Sequence, residues 1–98
     1  MSNVIVAYTL EQAIADGVLV EIFKNRWQQL SNGKPIVATA HIFNEVSLAG
    51  LMEIWNEFVK KQASHPVIND PFVTKMNGAN VWVIYDGSAF TIMYPEDY

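Results

Sequence analysis

The hydrophobic pattern is organised around residues 72–94, FVTKMNGANVWVIYDGSAFTIMY, which read as strands. The β-branched and aromatic residues there are interrupted by two turn dipeptides, Asn77-Gly78 and Asp86-Gly87. Both suit a type I′ turn, which needs positive φ at two successive residues. The stretch predicts a three-stranded antiparallel meander with two-residue loops, Met76 opposite Ala79 and Tyr85 opposite Ser88. Period-two alternation then sorts the side chains onto two faces. One face collects Phe72, Thr74, Met76, Val81, Val83, Tyr85, Phe90, Ile92 and Tyr94, and it requires a cover of helices. The other collects Val73, Lys75, Trp82, Ile84, Ala89, Thr91 and Met93. That second face is unusually apolar for a sheet surface left to water. A second layer of chain could cover it, or a partner could, and an aromatic centre beside a Met suits an interface core. Val73, Trp82, Ile84 and Met93 are therefore the candidate partner-binding residues.

Upstream the period changes to that of helices. Residues 3–8 (NVIVAY) form a short apolar run, a strand or a lead-in. Thr9-Leu-Glu-Gln12 matches a capping box that opens a short helix, and Gly17 closes it. Residues 18–23 (VLVEIF) fit either a strand or a buried extended linker, because so short a run has no decisive period. Residues 24–30 predict a helix with Phe23, Trp27 and Leu30 on one side, stopped by Ser31-Asn32-Gly33 and Pro35. Residues 36–38 are a short extended stretch. Thr39 caps a helical turn through Glu45, and Ser47 caps the longest helix, 48–63. The inner side of that helix is read as Leu48, Leu51, Trp55, Phe58 and Val59, with Met52 and Ile54 flanking. Ser64-His65-Pro66 ends it, residues 67–71 cross to the meander, and the acidic tail 95–98 is expected to be loose. Helices first and a meander last define an α+β fold: short N-terminal helices and one long central helix packed on a C-terminal three-stranded antiparallel meander.

Ninety-eight residues make a single domain, 1–98. Hydrophobic residues are 51% and charged residues only 16%, which excludes disorder and points to an adhesive surface or an oligomer. Cysteine is absent, so there is no disulfide framework and no thiolate chemistry. The absence of cysteine suits the cytoplasm, and no secretory leader or membrane-spanning run is legible. A net charge of −4 argues against direct nucleic-acid binding, which needs a basic footprint.

Motifs for chemistry are sparse. His41 and Glu45 stand four apart and could share a helix face, but two ligands do not make a metal site. His65 precedes Pro66 at a helix end, where cationic side chains meet terminal carbonyls. The serines stand at caps and turns, and the glycines never gather into a phosphate cradle. No catalytic residue, metal ligand or cofactor site is assigned. An enzyme or ligand binder would have to assemble a site from scattered groups near Tyr85, His41 and Glu45. Gly50, inside the first turn of the long helix, suggests a close contact there.

The run from Tyr8 to Ile22, YTLEQAIADGVLVEI, resembles the opening of an uncharacterised family of short bacterial, plasmid and phage proteins. These open with Tyr-Thr, then Gln-Ala, Ala-Asp-Gly and Val-Leu-Val-acidic. Residues 35–39 (PIVAT) and 91–96 (TIMYPE) are similar to that family's later segments. The family has no assigned activity, so the resemblance implies a mobile-element or phage context and transfers no catalytic residue. With the acidity and the apolar second face, it leads to the expectation of a non-enzymatic protein-binding module, in one form an anti-CRISPR or antirestriction inhibitor of a host defence complex. The alternatives are a small homo-oligomer that buries the Trp82 strip against itself, or a ligand-binding protein.

Overall fold

The computed structural model describes residues 9–64, 72–85, 87 and 89–97. The expectations for residues 3–8, for His65 and for the crossing at 67–71 lie outside them. The fold is α+β, but its sheet has five strands, not three. In chain order the elements are α1 (Leu10–Ala15), β1 (Leu19–Glu21), a 3₁₀ turn (Lys24–Arg26), α2 (Trp27–Ser31), β2 (Ile36–Thr39), α3 (Ala40–Glu45), α4 (Leu48–Ser64), β3 (Phe72–Met76), β4 (Ala79–Tyr85), β5 (Phe90–Met93) and a second 3₁₀ turn (Pro95–Asp97). The sheet order is β1-β2-β5-β4-β3. The meander is present, with β4 antiparallel to both β3 and β5. The correction is that β2 joins it by pairing parallel with β5, and β1 adds antiparallel to β2.

Local chemistry explains the element boundaries. Thr9 Oγ1 accepts the Gln12 amide at 3.1 Å and starts α1. At its other end the amides of Gly17 and Val18 bond to the Ile14 and Ala13 carbonyls, a Schellman cap. Thr39 and Ser47 cap α3 and α4 through the amides of Ile42 and Gly50. Asn77 and Gly78 both take positive φ, 55° and 84°, so the β3–β4 loop is the two-residue I′ turn, with Met76 opposite Ala79. The second loop is longer than expected. Tyr85 pairs with Phe90, not Ser88. A slip of two residues preserves the side-chain alternation, so both predicted faces survive it. Phe23 is the bulky exception among positive-φ residues, at 55°. Its conformation costs about 1–2 kcal/mol. The Arg26 amide on the Phe23 carbonyl and the Trp27 indole N–H on the Ile22 carbonyl, both 2.8 Å, hold that corner.

The core lies between the sheet and α3–α4. Ile36, Ala38, Val81, Val83 and Ile92 meet Ile42, Leu51, Ile54, Trp55 and Phe58. The buried side of α4 is thus Leu51, Ile54, Trp55 and Phe58, an i, i+3, i+4, i+7 set. Leu48 and Val59, read as inner from the sequence, are 54% and 44% exposed, while Ile54 is inside. Leu51, Trp55 and Phe58 are inside as expected, and the Phe58 ring meets both Phe72 and Phe90 edge-on. The indole N–H of buried Trp55 has no hydrogen-bond partner among the described residues. On the opposite face α1 covers only the β1–β2 end, where Ala13 packs with Leu19 and Val37.

Gly50 is a close-approach position. A Cβ there would stand 2.6 Å from Cγ1 of Val46, a stiff and buried side chain. Helix propensity alone favours Gly50→Ala by about 1 kcal/mol. The clash outweighs it, and we expect Gly50→Ala to lower stability by about 1–2 kcal/mol in urea unfolding. Unchanged or higher stability would show that Val46 yields freely.

Candidate functional site

Two regions carry function-bearing side chains. The first is the outer face of β3–β4–β5. Val73 lies opposite Trp82, and Trp82 opposite Met93, so these three form one row across the strands. Ile84 stands beside Trp82, opposite Thr91. The row grades from surface to interior. Val73 is 53% exposed, Trp82 and Ile84 are half-buried, and Met93 has no exposed surface. Met93 is therefore the floor of the strip and not part of its accessible surface, a correction to its sequence reading. Lys75 follows Val73 on the same face.

The second region forms where the parallel strands β2 and β5 end side by side. Thr39 closes β2 and starts α3, and Tyr94 follows β5. This placement brings His41 and Glu45 of α3 against the C-terminal turn. His41 Nδ1 lies 3.0 and 3.2 Å from the two carboxylate oxygens of Asp97. Its Nε2 lies 3.3 Å from Glu45 Oε2. Thr39 Oγ1 donates to Asp97 Oδ2 at 3.0 Å while accepting the Ile42 amide. The Tyr94 hydroxyl donates to Glu45 Oε1 at 2.8 Å, and its ring meets His41 edge-on at 4.8 Å. The tail expected to be loose is thus pinned through Asp97. A cavity of about 170 Å³ adjoins the pair, lined by Val18, Thr39, Ala40, His41 and Asp97.

The chemistry of this cluster follows from proton counting. A neutral imidazole has one N–H and can donate to one carboxylate, whereas the imidazolium donates to both. The Asp97 hydrogen bond raises the His41 pKa above its ordinary value against a smaller opposing effect of burial, and the charges of Asp97, Glu45 and Glu96 add to it. Burial and the bond to Glu45 push Tyr94 up to about 12, so its hydroxyl stays a donor. With both ring nitrogens engaged, His41 has none turned to a substrate. The carboxylates approach different sides of the ring, and no group of three metal-ligating side chains occurs among the described residues. The arrangement acts as a clamp.

Tyr85 does not join it. It stacks on Phe90 at 4.4 Å, with Lys34 Nζ 5.9 Å from its ring, at the opposite end of β5 from Tyr94. The i,i+4 spacing gave His41 and Glu45, but nothing local joined them to Asp97 or Tyr94. No helix among the described residues is long and apolar enough to cross a membrane. Comparison with family models, with curated proteins and with solved structures gave no match.

The clamp has a signed pH dependence. Because the folded pKa of His41 is raised, its stabilisation is fully present below the unfolded histidine value and is lost as pH rises through the folded one. We expect an NMR titration to place the His41 ring above the unfolded chain, and Asp97→Asn to return it toward the ordinary value. The stability gap between wild type and Asp97→Asn should narrow with rising pH across that interval. A gap constant from pH 5 to about 9 would remove the imidazolium from the account.

Proposed function

We propose that this chain is a non-enzymatic, cytoplasmic protein-binding module of phage or mobile-element type, which docks through the outer β3–β4 face and inhibits a host defence complex of the CRISPR or restriction class. The observation that carries the reading is the Val73–Trp82 pair: an apolar side chain 53% exposed on edge strand β3 beside a half-buried tryptophan on β4. Buried aromatic anchors rimmed by exposed apolar groups are where interface energy concentrates. The net charge of −4 suits a basic partner surface, and both His41 nitrogens lie against carboxylates of the chain itself. A second reading, a small-ligand binder, is favoured only by the cavity of about 170 Å³ beside His41.

Affinity capture from bacterial lysate with mass spectrometry separates these readings. Wild type should retain a stoichiometric protein partner. Val73→Glu, at an exposed position, should lose it by tenfold or more while keeping the thermal midpoint. No stoichiometric partner, or equal capture by Val73→Glu and Trp82→Ala, would sink the proposal.

A further inference from the structure

Strand β3 ends the sheet, and among the described residues only β4 pairs with it. The Asn77-Gly78 loop decides which backbone groups that pairing uses. Residues flanking a two-residue hairpin loop exchange both hydrogen bonds, and the exchange recurs at every second position. Phe72, Thr74 and Met76 therefore bond to Val83, Val81 and Ala79, while the N–H and C=O groups of Val73 and Lys75 face outward. A row of outward groups is a template for another strand.

We propose that this edge pairs antiparallel with the same edge of a second copy, fusing two five-stranded sheets across a twofold axis at Thr74. The register is self-complementary, as a twofold contact requires. Val73 of each copy meets Lys75 of the other as a bond-exchanging pair, so the outward groups are satisfied in both chains. Phe72 meets Met76 on the helix-bearing side, where both are half-buried in the single chain. Lys75 never stands opposite Lys75, so no like charges are directly juxtaposed.

The helix beside the edge fits the same axis. Helix α4 packs against β3 and β4. A groove of about 310 Å³ runs between it and β3, lined by Glu53, Ile54, Glu57, Lys60, Thr74 and Met76 among others. The twofold axis sets the two α4 helices antiparallel, and the proposed pairing matches Glu53 of each copy with Lys60 of the other, since both line the groove on the β3 side. Glu53 has no ion-pair partner among the described residues, and Lys60 has only a 3.9 Å contact with Glu57. The self-pairing matches charge as well as hydrogen bonds. It also sets both Val73–Trp82 pairs on one continuous sheet face. The edge contact is independent of what that face binds.

Sedimentation velocity on the full chain over a concentration series tests this. Wild type should approach about twice its 11.0 kDa mass at high concentration. Lys75→Pro removes an outward N–H, which an edge strand tolerates, so circular dichroism and the thermal midpoint should hold while the dimer is lost. Glu53→Lys should weaken association about tenfold, and Glu53→Lys/Lys60→Glu should restore it. A monomer at every concentration up to about 1 mM, where even weak contacts form, overturns the proposal. So does a dimer indifferent to Lys75→Pro, or a monomer whose β3 edge takes up a peptide of another protein. Should Lys75→Pro unfold the chain, the charge swap decides alone: loss without recovery in the double variant refutes the pairing.

Discussion

The structure depends on the parallel pairing of β2 with β5. Ile36, Val37 and Ala38 have no exposed surface, and Thr39 is 3% exposed. A strand buried on both faces must satisfy its backbone inside the fold, because no water is available to do it. It finds β1 on one side and β5 on the other. Without that insertion the meander would be a separate three-stranded ribbon, α1 would have no floor, and Ile42 and Val46 would lose the surface on which α3 turns into α4. The pairing also fixes the position of the clamp. Parallel strands end at the same edge, so the residues following β2 and β5 become neighbours although far apart in sequence. His41 and Asp97 meet for that reason.

The clamp and the outer face differ in kind. At the clamp Thr39, His41, Glu45, Tyr94 and Asp97 are linked to one another by hydrogen bonds and ion pairs, and both nitrogens of the exposed His41 ring meet acids. Such a network fixes geometry and makes one end of the sheet rigid. The β3 end has the opposite character. It presents an apolar side chain to solvent and outward backbone groups along one strand, with Lys75 as the charge that moderates indiscriminate pairing.

How much of this was legible in the sequence depended on how locally it was encoded. The meander was legible because Asn77-Gly78 can adopt few other conformations, and the faces followed from alternation. The longer β4–β5 loop was not, since Asp86-Gly87 fits loops of more than one length. The caps at Thr9, Thr39 and Ser47 were legible because each bonds an amide three residues on. The place of Ile36–Thr39 in the sheet left no local sign, because parallel pairing is set by a partner far along the chain. On α4, Leu51, Trp55 and Phe58 were read correctly as inner, while Leu48 and Val59 were exchanged with Ile54 because hydrophobicity alone does not separate them. Half of the candidate clamp was visible as His41 and Glu45. Asp97 and Tyr94 were not, since only the sheet order brings them there.

The order of β2 and β5 along the chain has a consequence for synthesis. Ile36 emerges from the ribosome long before Phe90, yet cannot be covered on its inner edge until Phe90 arrives. Throughout that interval β2 has a neighbour, β1, on one side only, and the amphipathic α4 has no meander to lie on. The β1–β2 pair and α1 can meet early, but the core between the sheet and α4 cannot close until β5 has emerged. Any chaperone that attends this protein would have its longest engagement with the segment destined to be the most hidden.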